Sequence, residues 1–137
     1  MIRIRLDSEV SLARQIERGL RSAIAQGALK PGDELPPVRQ LAADLGVNLN
    51  TVARSYRALE SDGLVQSVRG RGTRVTAARE KTGESRGEAV ARVRKELRET
   101  LADARLAGLG RAAVVGLARR ELARFWPRAR PARPARR

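Results

Sequence analysis

Residues 27–65 read GALKPGDELPPVRQLAADLGVNLNTVARSYRALESDGLV. Apolar residues recur at helical spacing in two short blocks of this stretch, one on either side of Gly46. Pro37 suits the first position of a helix, Gly46 suits its end, and Asn48 can cap the helix that follows. Because only Val47 separates Gly46 from Asn48, the chain must turn sharply between the two helices. The pattern predicts a helix-turn-helix. Its inward residues are Leu41, Ala42, Leu45, Val52, Tyr56 and Leu59.

The segments on either side of this stretch complete a small domain. Residues 1–6 alternate apolar and basic side chains, which predicts a short strand. An apolar residue at every fourth position then predicts a helix that Ser11 caps and Gly27 ends. The inward residues of that helix are Leu12, Ile16, Leu20 and Ile24. Downstream, Leu64–Val68 and Thr73–Thr76 predict a hairpin around a turn of glycine and arginine. This order of elements is that of a winged helix-turn-helix, and a small α+β domain without a DNA function is the alternative.

The second half of the chain predicts a helical module. A polar, glycine-punctuated stretch at residues 78–87 indicates a linker after a first domain over residues 1–77. Ser85-Arg86-Gly87-Glu88 fits a capping box, and glycines near residue 109 separate two helices. We therefore expect a pair of antiparallel helices over residues 88–126. Their apolar stripes are narrow and would face water in one copy, which favours dimerisation. The residues predicted to meet the second copy are Val90, Val93, Leu97, Leu101, Val115, Ala118, Leu122, Phe125 and Trp126.

The charge balance indicates an anionic polymer as the partner. The chain carries 29 Lys and Arg against 15 Asp and Glu, a formal net charge of +14. Such an excess favours nucleic acid over a membrane surface. Residues 127–137 read PRARPARPARR, which predicts a disordered tail. The arginines of that tail either add phosphate contacts or only keep the protein soluble.

The composition also excludes several classes of protein. There is no Cys and no His, which rules out disulfide scaffolds and zinc sites built from thiolates or imidazoles. The commonest general base and the best nucleophile are thereby absent, so we expect neither an enzyme nor a cofactor. The chain lacks a signal-peptide pattern at its start and an apolar run of bilayer length. We therefore expect a cytoplasmic protein.

These residues resemble the GntR family of bacterial transcription regulators. The resemblance covers about residues 10–76 and runs through Gln15-Ile16, the stretch quoted above and GRGTRV at Gly70–Val75. It implies a winged-helix fold and sequence-specific DNA binding. The short second half is similar to the subfamily named for YtrA, which implies control of a neighbouring membrane-transporter operon. The family often has Ser where Pro37 stands and Arg where Leu49 stands, so the mode of binding transfers more safely than the base sequence.

The helix that begins after Asn48 suits the major groove, which admits one helix and presents distinct base edges. The Asn50 amide can pair with adenine and Leu49 can touch a thymine methyl, whereas Asn48 has a competing role as the cap. Arg39, at the start of the preceding helix, suits a phosphate. Arginines in the glycine turn suit a narrow minor groove. The predicted DNA contacts are Arg39, Asn48, Leu49, Asn50, Thr51, Arg54, Arg57, Arg69, Gly70, Arg71, Gly72 and Thr73.

Taken together, these features predict a repressor that binds an inverted-repeat operator as a homodimer. Its half-sites would lie about 34–36 Å apart, or multiples of that. The helices of the second half are too short to enclose an ordinary ligand pocket of about 300 Å³ or more within one subunit. A small-molecule effector would therefore have to bind between subunits. A non-specific architectural or nucleoid protein is the alternative function. A third possibility is an interaction protein whose helices bind another regulator or a membrane surface.

Overall fold

The computed structural model describes residues 2–7, 10–76 and 84–128. Within these ranges the chain is mainly α-helical with a small β wing, and it divides into two compact units at Glu84. The elements are α1 (Leu12–Ala25), α2 (Val38–Leu45), α3 (Leu49–Ser61), β1 (Val65–Val68), β2 (Gly72–Val75), α4 (Arg86–Leu106) and α5 (Arg111–Phe125).

The helices of the first unit begin and end at the predicted signals. The Ser11 hydroxyl accepts a hydrogen bond from the backbone N–H of Arg14 at 3.3 Å. Gly46 ends α2 in the left-handed conformation, with φ of 66°. Pro37 is the residue before α2 and not its first helical residue, because its ψ of 144° is extended. That prediction was wrong by one position, and the helix still starts where proline permits it.

One hydrophobic core joins the three helices of this unit to the wing. The buried apolar residues are Ile16, Leu20, Leu35, Leu41, Ala42, Val52, Tyr56, Leu59, Val65 and Val75. The predicted inward faces of α1, α2 and α3 supply most of this set. Ser55 is the buried polar residue, and its hydroxyl lies 2.7 Å from the carbonyl oxygen of Ala13 and 3.0 Å from that of Thr51. A hydrogen bond to Ala13 ties α3 to the first turn of α1.

The wing is a hairpin with a third segment along its other edge. β1 and β2 are antiparallel, with Val65 opposite Val75. On the far side of β2, the backbone N–H of Gly32 donates to the Val75 carbonyl and that of Leu35 donates to the Thr73 carbonyl, both at 2.8 Å. The chain that leads into α2 therefore fixes β2 from the side that β1 leaves open.

The first residues do not form the predicted strand. Residues 2–5 have no regular secondary structure, although Ile2 and Ile4 are half-buried on the core and the arginines between them are exposed. The side chain of Gln15 takes the place of a partner strand. It accepts from the Arg5 N–H at 2.6 Å and donates to the Arg5 carbonyl at 3.0 Å. The apolar alternation thus reports burial against α1, which offers no strand edge to pair with.

The second unit consists of α4 and α5, joined by a short connection at residues 107–110. The capping box is confirmed: Glu88 N–H donates to the Ser85 hydroxyl at 3.2 Å, and Ser85 N–H donates to the Glu88 carboxylate at 2.7 Å. α4 thus begins inside the stretch predicted as a linker, residues 78–87, of which residues 78–83 lie outside the described ranges.

The two helices pack little against each other, and neither has a buried residue. The predicted apolar stripes therefore face solvent in the single chain. Val90, Val93, Leu97, Leu101, Leu122 and Trp126 are between 44% and 73% exposed. Ala118 is exposed too, whereas Val115 and Phe125 are half-buried. Residues 129–137, most of the predicted tail, lie outside the described ranges. In the part of the chain that the structure describes, no helix is both long and apolar enough to span a membrane.

Candidate nucleic-acid interface

One face of α3 packs on the core and the opposite face is free. The buried residues of this helix are Val52, Ser55, Tyr56 and Leu59. At 3.6 residues per turn, the opposite side carries Asn50, Arg54, Arg57 and Ser61, which are all exposed. We call these four residues the outer face of α3. The helix has 13 residues, a length of about 20 Å, and presents this face along its whole length.

The N-terminal turn of α3 combines a structural cap with exposed side chains. Asn48 is the N-cap, and its side-chain oxygen accepts from the Asn50 N–H at 2.8 Å. The competing role expected for Asn48 is therefore present, and the amide NH₂ of that side chain is left for another partner. Leu49 is 43% exposed, with its side chain outside the core. Thr51 is half-buried, at the margin of the outer face.

Arg39 lies in the first turn of α2 and is exposed. Pro37, the N-cap of α2, provides no side-chain hydrogen bond to the helix. The first-turn N–H groups thus remain open to an anion, beside a guanidinium that can bind the same anion. This arrangement suits a phosphate of a nucleic acid.

The wing turn uses two glycines for its backbone path. Gly70 has φ of 78° and Gly72 has φ of 73°, a region that only glycine adopts freely. Arg69 and Arg71 are exposed beside them, as is Arg74 on β2. The predicted contact Thr73 is less accessible than these arginines. It is half-buried, and its hydroxyl lies 3.5 Å from the Ser67 hydroxyl.

Glu60 fixes the wing to α3. One oxygen of its carboxylate accepts from the backbone N–H of Ser67 at 3.1 Å, and the other lies 3.3 Å from the Ser67 hydroxyl. The last turn of α3 is thereby tied to β1. The residue pattern carried no signal for this contact, because it depends on how the hairpin folds back on the helix. Ser61 was likewise not predicted, although its spacing from Arg54 and Arg57 would have placed it on the same face.

The arginines at the start of α2, on the outer face of α3 and in the wing turn have no ionic partners among the described residues. In the described ranges, no carboxylate forms a salt bridge with Arg39, Arg54, Arg57, Arg69 or Arg71. Elsewhere arginines do pair: Arg21 contacts Asp62 at 2.5 Å and Arg92 contacts Glu84 at 3.0 Å. The Arg92 guanidinium lowers the pKa of the Glu84 carboxyl, chiefly through their hydrogen bond. The unpaired guanidiniums of α2, α3 and the wing therefore keep their full charge available for an external anion.

Comparison with known proteins agrees with this arrangement. Residues 12–75 match the family model "Bacterial regulatory proteins, gntR family". The chain is 35% identical over 109 residues to the HTH-type transcriptional repressor YtrA of Bacillus subtilis, a match that covers 80% of this chain and 82% of YtrA. The resemblance inferred from the residues is thus confirmed, and it extends beyond the winged helix. These relatives are transcription regulators and not enzymes.

Two solved structures show the same fold. A transcriptional antiterminator from Listeria monocytogenes matches with a TM-score of 0.75 and 25% identity, covering 96% of this chain and 98% of its own. YtrA from Sulfolobus acidocaldarius, a GntR-family transcription factor, matches with a TM-score of 0.58 and 35% identity, covering 74% and 97%. The winged-helix fold predicted from the residue pattern is therefore confirmed.

Proposed function

Because the chain belongs to the gntR family of DNA-binding transcription regulators, we propose that it is a repressor that binds an inverted-repeat operator as a homodimer. The outer face of α3 carries the proposal. Asn50, Arg54 and Arg57 are exposed there, and none has a side-chain partner among the described residues. One amide and two guanidiniums in a row are the groups that read base edges in a major groove.

We assign different tasks to the elements around this face. α3 enters the major groove N-terminus first, so that Asn50 meets an adenine and Leu49 meets a thymine methyl. Arg54 and Arg57 contact guanine or phosphate further along the helix. Arg39 and the start of α2 hold a phosphate, which positions the head without reading sequence.

The wing supplies the second groove contact. Arg69 and Arg71 flank Gly70, where the absence of a side chain allows close approach to the DNA. A narrow minor groove has an enhanced negative potential, which attracts arginines of this kind. Gly72 and the Thr73 hydroxyl complete the contact set of the wing. Asn48 and Thr51 complete the contact set at the N-terminal turn of α3.

We propose that a second copy of the chain buries the exposed apolar stripes of α4 and α5. The support is the exposed apolar stripe, whose members such as Leu97 and Leu122 are about half exposed to solvent in the single chain. Burial of such area is favourable at about 25 cal/mol per Å². A two-fold dimer presents two α3 helices to two half-sites of opposite direction. In this assignment residues 1–77 bind DNA and residues 88–126 dimerise.

The regulated genes follow by analogy with the subfamily: a neighbouring membrane-transporter operon, repressed by occlusion of its promoter. An effector bound between subunits would change the angle between the two DNA-binding heads. Operator affinity would then fall, since both half-sites must be engaged together.

Footprinting on DNA upstream of the gene, followed by competition with bulk DNA, tests this function. We expect a protected inverted repeat and a preference for it of about a thousandfold or more over bulk DNA. Protection without sequence preference would instead identify a non-specific architectural protein.

A further inference from the structure

Glu34 lies between two of the surfaces assigned to DNA. Its backbone pairs with Arg74 at the open edge of β2. Its carboxylate reaches the start of the wing strand, where Oε1 lies 2.9 Å from the position that a Cβ on Gly72 would occupy. Glu34 also lines a cleft of about 500 Å³ together with Gly72, Pro37, the N-cap of α2, and Tyr56. The side chain thus lies where the wing and the start of α2 come together.

Glu34 is exposed, and its carboxylate has no partner among the residues that the structure describes. Over residues 2–7 and 10–76, Glu17 is the other acid without a hydrogen bond or an ion pair. The remaining acids of these ranges each have a partner: Asp7, Asp33, Asp44, Glu60 and Asp62. Glu34 is therefore an unpaired negative charge beside the wing and the α2 N-terminus, whose arginines are unpaired positive charges.

An unpaired carboxylate at this place can distinguish one DNA sequence from another, because few groups of DNA can donate a hydrogen bond to it. An ionised carboxylate only accepts hydrogen bonds. The DNA backbone offers negative phosphates and further acceptors, so it repels a carboxylate and cannot satisfy it. The donors that DNA presents in its grooves are the amino groups of cytosine, adenine and guanine. A carboxylate placed against DNA is satisfied where a base amino group faces it and is penalised elsewhere.

We propose that Glu34 is a specificity-determining residue of the operator complex. Its carboxylate accepts a hydrogen bond from a base amino group of the operator, and it repels DNA that places backbone there instead. The effect is to weaken binding to bulk DNA more than binding to the operator. This inference rests on the proposed function, since it requires that an operator exists.

The test compares the full-length wild-type protein with Glu34→Ala, using the footprinted operator and bulk duplex DNA at one salt concentration. Glu17→Ala is the matched control, because it removes the same charge from an acid on α1 that also has no partner. Glu34→Ala is expected to bind bulk DNA more tightly and the operator no more tightly. The ratio of the two affinities should fall about fivefold or more, the lower end of what one good base contact contributes. Glu17→Ala should keep the wild-type ratio.

An equal gain in affinity for both DNAs in Glu34→Ala would overturn the proposal, because the carboxylate would then act through net charge alone. Unchanged affinity for both DNAs would overturn it as well. In both cases the wild-type preference for the operator would stand, and with it the proposed function. A wild-type protein without any operator preference would refute the proposed function and this inference together.

Discussion

Tyr56 lies directly behind the outer face of α3 and ties that helix to the segment before α2. Its hydroxyl donates to the Pro36 carbonyl at 2.6 Å, and the residue is 6% exposed. Burial raises the pKa of Tyr56 to about 12, because the phenolate would lose its hydration. The folded protein thus keeps this tyrosine neutral at pH values where the unfolded chain ionises it.

Alkaline pH should therefore destabilise the wild-type protein more than Tyr56→Phe. The pKa of Tyr56 is about 12 in the folded state and about 10 in the unfolded chain, so the unfolded state releases its proton first. The stability that neutral Tyr56 contributes is present below pH 10 and is lost between about pH 10 and 12. At neutral pH the variant should lose about 1 kcal/mol with the hydrogen bond. Urea unfolding across this pH range measures both effects, and parallel pH curves for the two proteins would contradict the assignment.

The wing is held in place by hydrogen bonds with Glu60 on one side and with residues 32–35 on the other. In the antiparallel hairpin the Ser67 N–H points away from β2, toward the Glu60 carboxylate. The hydrogen bonds between Glu60 and Ser67 are exposed to solvent, so their contribution to global stability is small. Their effect is on the position of the wing arginines relative to α3.

Glu60→Ala should release the wing without unfolding the protein. Hydrogen exchange of the Ser67 amide should accelerate, because its acceptor is gone, and DNA affinity should weaken severalfold as the wing loses its fixed position. Glu60→Gln keeps an acceptor at the same place and should exchange nearly as the wild type does. If the Ser67 amide exchanged equally fast in all three proteins, Glu60 would not be what holds the wing.

The helices of the first unit were predictable because each buries a single face, which leaves a periodic trace in the sequence. The outer face of α3 follows from the same period, since the side proposed to bind DNA is the side that the core leaves free. Contacts between distant segments left no such trace. The pairing of residues 32–35 with β2 and the bond from Glu60 to Ser67 depend on where the hairpin lands. The alternation at residues 1–6 predicts a strand, whereas Ile2 and Ile4 are half-buried without strand pairing and Leu6 is 83% exposed.

At the scale of the whole molecule, α4 and α5 leave their apolar stripes uncovered in one chain. Leu97→Glu should convert the expected dimer to a monomer, because a charge would replace a side chain that the second copy is proposed to bury. Operator binding should fall with it, since one head engages one half-site. Light scattering measures the mass of the particle.

Leu106→Glu is the matched control for that experiment. Leu106 is 86% exposed at the end of the same helix, about 180° around it from Leu97. This variant should remain a dimer and bind the operator as the wild type does. A dimeric Leu97→Glu protein would place the contact between copies elsewhere.

The central claim is that the outer face of α3 reads bases while Arg39 only holds a phosphate. The most direct measurement is the ratio of operator to bulk-DNA affinity in Asn50→Ala, Arg54→Ala and Arg39→Ala. Loss of the Asn50 or Arg54 contact should lower the ratio about tenfold, within the range of one base contact. Arg39→Ala should weaken binding to all DNA alike and reduce the log–log salt slope by about 0.9. An unchanged ratio in Asn50→Ala would contradict the placement of α3 against the bases.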